Sequence, residues 1–430
     1  MLLQVYRIST ILRCYPNAYS PGTVPRRKMD RQEETALFPR QPAPPLTTME
    51  KSQERLFAQQ GEPNAPGILP SQILSSLLDS GKIISPEPPL PGQIQPASFD
   101  LRLGKVAYQV RASFLPGNST VESKIRNLLI KEVSLEDSAV FPPNSVYIVP
   151  LVESLALPPN ISGKANPKST TGRLDIFTRL LTEAGTEFEI VPKGYKGALY
   201  VEVVSRTFPV IVRAGMRLNQ LRLVRGNPVS SDGMLLRLAE RENLVYEDEN
   251  NPAQPDIKRG LSFSVDLQGN SSTIVAYKAR IDAPPIDLDK INYYEIDEFW
   301  ETVMAPRSKG LILLPHDFYI LGSSERIGVP PTHAAEMVAY DPAFGEFRIH
   351  YAGFFDPGFG HGIGGTKAVL EVRAHEVPTL LEHGQVVGKL VYHTMAQLPD
   401  KVYGAAIGSS YQKQGLTLSK QFIRAEAGTN

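Results

Sequence analysis

Ser98-Phe-Asp-Leu-Arg-Leu-Gly104 has a second version later in the same chain, Ser264-Val-Asp-Leu-Gln-Gly269. In the first version Phe99, Leu101 and Leu103 alternate with Asp100 and Arg102, the period-two signature of a half-buried strand. Five further pairs follow in the same order. Val106-Ala-Tyr108 returns as Val275-Ala-Tyr277, and Pro143-Asn-Ser-Val-Tyr-Ile148 as Pro315-His-Asp-Phe-Tyr-Ile320. Leu155-Ala-Leu-Pro-Pro159 returns as Ile327-Gly-Val-Pro-Pro331, and Tyr200-Val-Glu-Val203 as Val369-Leu-Glu-Val372. The last pair is Gly215-Met-Arg-Leu-Asn-Gln-Leu221 with Gly384-Gln-Val-Val-Gly-Lys-Leu390. Ordered echoes of this kind point to a duplicated domain.

Outward from these landmarks, short apolar runs recur between Pro, Gly and Asn breaks, at residues 146–152, 198–204, 210–212 and 218–224. Many short strands with little helix between them argue a compact antiparallel barrel or jelly roll. The expected fold is mainly β, two barrels in tandem with a few short helices. The first domain is expected over 67–226, a connector over 227–260 and the second domain, with a tail, over 261–430. Ile73, Leu74, Leu77 and Leu78 fall on one face of a short helix, with Ser71 as its cap and Gly81 as its stop. The connector carries the acidic run at 247–251 and one helix from Met234 to Arg241.

The composition narrows the function classes. With 42% hydrophobic and 21% charged residues, a chain of this length can bury more than one core. Its 45 basic and 45 acidic residues cancel, so no global field draws it to nucleic acid or to an anionic membrane, and an anionic ligand needs a local site. The single cysteine, Cys14, forms no internal disulfide and fits a reducing compartment, so a cytoplasmic location is expected. No apolar run reaches the roughly 18–20 residues needed to span a bilayer. Residues 1–66 are rich in Pro, Arg, Gln and Glu and read as a disordered leader. An organelle presequence over Met1 to Arg13 is one reading of its start; a start site placed too far upstream, with Met29 or Met49 as the true beginning, is preferred.

The chemistry-bearing stretch is Asn166-Pro-Lys-Ser-Thr-Thr-Gly-Arg-Leu-Asp175. Hydroxyls at Ser169, Thr170 and Thr171 and a guanidinium at Arg173 can hold an anion and orient a water, since both group types donate hydrogen bonds in a fixed direction. The alternative is a helix N-cap with Ser169 or Thr170 capping and Arg173 solvated. Glu202 alternates onto one strand face with Tyr200 and Val204; it is either at a wet edge or a buried carboxyl with a raised pKa, suited to general-base work. Glu371 holds the matching place in the second copy, where Arg373 shares its face and offers a structural ion pair.

Asp356-Pro-Gly-Phe-Gly360 has hairpin-turn composition. Its first-copy partner, Val191-Pro-Lys-Gly-Tyr-Lys-Gly197, has no Asp; conversely Pro342-Ala-Phe-Gly-Glu346, the counterpart of Ser169 to Arg173, has lost hydroxyl and arginine. The copies have complementary losses. Gly360-His-Gly-Ile-Gly-Gly365 fits G-x-G-x-x-G, but no βαβ unit surrounds it and a dinucleotide site is rejected. All seven histidines, His316 to His393, lack metal-ligand spacing. Ser410-Tyr-Gln-Lys-Gln-Gly415 follows a Gly- and Ala-rich hinge and reads either as a lid or as a loose terminus.

Taken in this order, the opening helix, Gln95 to Gly104, Ser169 to Arg173, the Glu202 strand and Tyr411 to Gly415 resemble the dCTP deaminases of the dUTPase-like superfamily, in a long tandem form. The resemblance implies dUTPase-like distorted jelly-roll folds and zinc-independent hydrolysis of dCTP to dUTP and ammonia, feeding dUMP and dTTP synthesis. One cysteine cannot build the ligand set of a zinc deaminase. By resemblance Glu202 is the general base, Ser169 positions the water and Arg173 steadies the site. Lys168, Thr170, Asp356, Glu371, Tyr411 and Gln414 are expected on the nucleotide, with Mg²⁺ carried by the triphosphate and dTTP as a feedback inhibitor. Thr170 stands where the family has a second serine. Sites of this family form between subunits, so a homo-oligomer and hybrid sites are expected, in which Ser169 and Arg173 of one domain meet a hairpin of another. Whether Glu202 or Glu371 is the working base stays open, as do a dUTPase or bifunctional activity with Asp356 activating water at the α-phosphate, and a non-catalytic nucleotide sensor.

Overall fold

Pro and Gly breaks cut the chain into short strands whose limits follow the apolar runs. The computed structural model describes residues 64–269, 274–307, 310–338, 347–349, 353–374, 376–404, 411 and 414–424. The leader up to residue 63, Cys14 with it, and Pro342-Ala-Phe-Gly-Glu346 lie outside the described residues.

The first half supplies β1 (Phe99–Leu101), β2 (Val106–Val110), β3 (Leu129–Ser134), β4 (Ala139–Phe141), β5 (Val146–Ala156), β6 (Ile161–Pro167), β7 (Ile176–Thr182), β8 (Ile190–Val191), β9 (Lys196–Ser205), β10 (Val210–Val212) and β11 (Asn219–Arg225). The second supplies β12 (Leu261–Ser264), β13 (Ile274–Ala279), β14 (Trp300–Met304), β15 (Gly310–Leu313), β16 (Phe318–Ile327), β17 (His333–Val338), β18 (Phe347–Ile349), β19 (Phe354–Phe355), β20 (Thr366–Ala374), β21 (Thr379–Glu382) and β22 (Val386–Thr394). Further two-residue strands lie at Gly67–Ile68, Ile83–Ile84, Val245–Tyr246 and Ile286–Asp287. The helices are short: α1 (Ser71–Asp79), α2 (Val121–Leu128), α3 (Ser169–Gly172), α4 (Asp232–Arg241) and α5 (Ile296–Phe299).

In the first half one sheet runs β8-β6-β11 with β1 also on β11, a second runs β3-β2-β5-β9-β7, and β4 pairs with β10. In the second half the orders are β19-β17-β22-β12, β14-β13-β16-β20-β18 and β15-β21. Each second-half strand thus takes the place held by the strand eleven numbers earlier. Ile286–Asp287 joins the β4-β10 pair in parallel, alongside β10.

Local chemistry explains the helices. In α1 Leu74 and Leu77 are buried, as the spacing predicts, but Ser71 is the first helical residue rather than the cap; Pro70 takes that place and the Ser71 hydroxyl donates to Asp400. Gly81, at φ +66°, closes the helix. In α4 the Ser231 hydroxyl accepts from Met234 N–H, which caps the helix expected there.

One expectation about β1 does not hold. Asp100 and Arg102 do not face water; both are buried along with Phe99 and Leu101. The burial is possible because each charge has a partner, Lys168 for Asp100 and Glu153 for Arg102 (Nε to Oε1, 2.6 Å).

The halves share a core. One apolar cluster unites Val149, Val201 and Phe208 of the first half with Phe299, Trp300 and Phe318 of the second and Leu418 and Phe422 of the tail. Phe208 meets Trp300 edge-on at 5.3 Å between ring centroids, and Trp300 meets Phe422 at 5.9 Å. Each such pair adds about 0.5–1.5 kcal/mol beyond the area it buries. The connector is built in too, since Leu235, Leu244 and Val245 belong to the second-half cluster. No helix among the described residues is long and apolar enough to cross a membrane.

Candidate active site

β6 ends at Pro167, and a proline cannot continue a ladder as a donor. The chain turns there into α3, with Lys168 in extended conformation at the N-cap and no side-chain capping bond. Ser169 and Thr170 are therefore not caps. Thr170 Oγ1 lies 3.2 Å from the Tyr411 hydroxyl, and the Ser419 hydroxyl donates to the Thr170 carbonyl at 2.9 Å. Arg173 is not solvated either; it is 3% exposed. Its Nη1 donates to the Thr417 carbonyl (2.8 Å), its Nη2 to Gln414 Oε1 (2.9 Å), and its guanidinium lies 3.8 Å from the centroid of the Tyr411 ring. The tail is thereby fixed on the α3 turn.

The second half faces this turn with two elements. After β19 comes Asp356, whose Oδ1 accepts from Arg222 Nη2 at 3.1 Å. Arg222 belongs to β11 of the first half; it also donates to the Ala335 carbonyl at 3.0 Å and stacks 4.0 Å from the Phe354 ring centroid. A first-half arginine thus clamps the second-half hairpin. The other element is β20, which carries Glu371, 1% exposed.

These elements enclose a cavity of about 290 Å³. Lys168, Ser169, Thr170 and Arg173 line it from the first half, Asp356 and Glu371 from the second, and Tyr411 and Gln414 from the tail. Residues not singled out as site residues from the sequence also line it, among them Asp100, Arg217 and Gln220 from the first half and Phe354, Phe359 and Tyr403 from the second. Asp100 was visible as part of the repeated Ser-x-Asp-Leu motif. Its position here depends on β1 pairing with β11 beside α3, which no local pattern announces.

Glu202 is not brought to this cavity. It lies on β9 directly opposite Arg179 of β7, and its Oε1 accepts from Arg179 Nε at 2.8 Å. The cross-strand partner Arg179, which itself lines a separate cavity of about 500 Å³, pairs with this buried carboxylate. The ion pair that spacing suggested between Glu371 and Arg373 is not formed; Arg373 pairs with Asp175.

The electrostatics single out Glu371. Burial pushes its carboxyl up to about 8, the Arg173 guanidinium and a backbone hydrogen bond pull it down, and Asp175 adds a further push up. Burial also raises Asp356 against the pull of Arg222, and Asp100 against that of Lys168 and Arg217. The cavity thus combines a carboxyl poised near neutrality with hydroxyls, a fixed guanidinium, an aromatic wall and cations at Lys168 and Arg217. Such a set can accept a proton from water and return it to a leaving group.

The Gly360–Gly365 turn has a packing reason for its glycines: a Cβ at Gly360 would collide with the Ile327 carbonyl, and one at Gly364 with the Glu249 backbone. Among the described residues no cluster of three or more His, Asp, Glu or Cys has metal-holding geometry.

Several known proteins of like sequence are dCTP deaminases. Residues 65–227 match the pattern of the "2'-deoxycytidine 5'-triphosphate deaminase (DCD) N-terminal domain", and residues 231–422 that of the corresponding C-terminal domain. A dCTP deaminase of Halorubrum lacusprofundi is 29% identical over 154 residues, 35% of this chain and 73% of that one. A "dCTP deaminase, dUMP-forming" of Corynebacterium jeikeium is 31% identical over 134 residues, 30% of this chain and 68% of that one. The crystal structure of a 2'-deoxycytidine 5'-triphosphate deaminase from Agrobacterium tumefaciens superposes with a TM-score of 0.74 at 47% identity, covering 78% of this chain and 99% of that chain.

Proposed function

The chain belongs to the 2'-deoxycytidine 5'-triphosphate deaminase family, and on that premise we propose that it hydrolyses dCTP to dUTP and ammonia in the cavity between its halves, with Glu371 as general base. The observation that carries this reading is the meeting of Ser169 and Arg173 with a buried, near-neutral Glu371 in one cavity. Glu371 takes a proton from water as the oxygen adds to C4 of the cytosine ring. That proton passes to ring N3, giving a tetrahedral C4 bearing hydroxyl and amino groups. Glu371 then takes the hydroxyl proton and delivers it to the amino nitrogen, so the C4 carbonyl forms as the C4–N bond breaks and ammonia leaves. Ser169 orients the attacking water, and the positive charge of Arg173 favours the carboxylate form of the base. Phe354 and Phe359 supply an apolar wall for the pyrimidine, and Lys168 and Arg217 supply positive charge for the triphosphate.

Asp100 and Asp356 are engaged by Lys168 and Arg222; Mg²⁺ would come with the substrate and would shield the charge of its triphosphate. The matched strand orders of the two halves support reading them as tandem dUTPase-like barrels. A dUMP-forming reaction, which the names of several relatives carry, needs a carboxylate for water at the α-phosphate. Asp356 is tied to Arg222, which favours dUTP as the released product.

Incubation with dCTP and Mg²⁺, with ammonia, dUTP, dUMP and pyrophosphate followed together, tests the reaction. Glu371→Gln is expected to abolish ammonia release, and Glu202→Gln to leave turnover within about threefold of the parent, because it only loosens a pair with Arg179 at a site away from the cavity. The opposite pattern returns the base to Glu202; pyrophosphate released in step with ammonia makes the product dUMP.

A further inference from the structure

Behind the cavity wall lies a buried charge pair that joins the two halves and that the reaction scheme does not use. Glu371 and Arg373 are two residues apart on β20 and share a face. The Arg373 guanidinium turns away from Glu371: Nη2 donates to Asp175 Oδ2 and to Thr207 Oγ1 (2.7 Å), and Nη1 to the His316 carbonyl. Asp175 closes the turn that carries Arg173. Its N–H donates to the Gly172 carbonyl at 2.8 Å, its carbonyl accepts from Arg206 N–H at 2.9 Å, and it holds φ at +57°. The Thr207 hydroxyl donates to Asp175 Oδ2 at 2.6 Å while accepting from Arg373, which closes a triangle of polar contacts. The pair is buried, with side-chain exposures of 10% for Arg373 and 0% for Asp175. Neither residue lines the cavity.

We propose that Asp175 and Arg373 are positioning residues for the deamination: their ion pair docks the first-half turn bearing Ser169 and Arg173 onto the second-half strand bearing Glu371, and occupies Asp175 so that Arg173 serves Glu371. This rests on the reading of Glu371 as the base. The geometry carries it. Ser169, Arg173 and Glu371 come from different halves, so their mutual placement needs a contact across the seam, and this one starts two residues from Arg173 and two from Glu371. Arg173 and Asp175 act on Glu371 from the α3 turn, and Arg373 stands two residues along the same strand with its guanidinium on Asp175. Lys168, Asp100, Arg217, Asp356, Tyr403 and Tyr411 complete the titratable groups of the described cavity wall. Within this set, Asp175 and Arg373 cancel each other's charge. Removing one changes the net charge beside the base by one unit.

The test is the pH dependence of kcat for the full chain with dCTP and Mg²⁺. Arg373→Gln is expected to lower kcat at least tenfold and to move the acid limb of the profile up by about one unit, because Asp175 then repels charge on Glu371. Asp175→Asn is expected to lower kcat as well but to move the limb down, because Arg373 then favours the carboxylate. The double variant Asp175→Asn/Arg373→Gln restores charge balance and returns the limb to the parent position. KM for dCTP stays within about twofold throughout, since neither side chain reaches the cavity. A merely structural pair lowers melting temperature in all three variants without moving the limb, and that result overturns the proposal, as do single-variant shifts of the same sign. Arg373→Lys covers the case in which Arg373→Gln does not fold: it keeps the charge but cannot hold all three acceptors, so kcat falls with the limb unmoved, and a moved limb overturns the proposal. Full turnover in Glu371→Gln, measured alongside, identifies failure of the base assignment itself; loss of turnover there with no opposed limb shifts identifies failure of the positioning role alone.

Discussion

Replacing Glu371 by glutamine keeps the volume and the polar head of the side chain and removes its charge. The folded protein holds this carboxyl at about 8, against an ordinary value of 4.5, because the site is 1% exposed. A group that binds its proton more tightly in the folded state contributes stability that is fully present below the unfolded pKa and is lost as pH rises through the folded one. The window here runs from 4.5 to about 8. At about 1.4 kcal/mol per pH unit, the full gap corresponds to about 5 kcal/mol of lost stability at pH 9, of which about 2 kcal/mol has been lost by pH 6. Glu371→Gln does not titrate, so its advantage over the parent should grow by about 3 kcal/mol between pH 6 and pH 9. For a chain of this size that is a widening of the melting-temperature gap by roughly 3–5 °C. Parallel thermal melts at the two pH values measure it, and the other buried acids cancel because both proteins carry them. A gap that stays constant, or narrows, refutes the reasoning. On the proposed reading of Glu371 as the base, the same variant should also release no ammonia, which would join the stability cost and the activity in one group.

Ser169→Ala should leave the fold unchanged and removes the hydroxyl proposed to orient water; ammonia release should fall about 10²-fold with melting temperature within a degree or two of the parent. Arg173→Lys keeps a charge but not the fork that holds Gln414 and the Thr417 carbonyl while stacking on Tyr411; a rise of roughly tenfold or more in KM for dCTP, read from saturation curves, is expected. Glu153→Ala strips the buried partner from Arg102, which is 2% exposed, and leaves it the exposed Glu87 carboxylate at 3.5 Å; the loss should cost about 1–3 kcal/mol in denaturant unfolding, with turnover per folded molecule unchanged.

Much of the fold is legible from residue spacing. The ordered echoes, the short apolar runs between Pro and Gly, and the helix after Ser231 all correspond to observed elements, because burial of one strand or helix face leaves its period in the sequence. Burial of charge leaves no such trace. Asp100 and Arg102 read as the wet face of a strand, yet both lie inside, since their partners Lys168 and Glu153 come from distant segments. The same limit governs the two strand glutamates. Glu202 and Glu371 occupy equivalent places in the repeat and look alike on their strands. What separates them is Arg179, set opposite Glu202 by the register of β7 on β9, and the approach of a first-half turn to Glu371.

By itself the sequence determined the residue inventory and the local geometry: a mainly β chain with internal echoes, a hydroxyl-and-guanidinium turn in one half, an aspartate hairpin in the other, and one cysteine against any zinc-deaminase ligand set. Those properties reside in neighbours along the chain, where periodicity and turn chemistry operate. Only the tertiary structure decided which acid stands with Ser169 and Arg173, what holds Asp356, and that Arg373 serves Asp175 rather than Glu371. These are contacts between segments far apart in sequence, set by sheet register and by the packing of one half on the other, and a buried charge is told from a solvated one only by the partner that such packing brings to it.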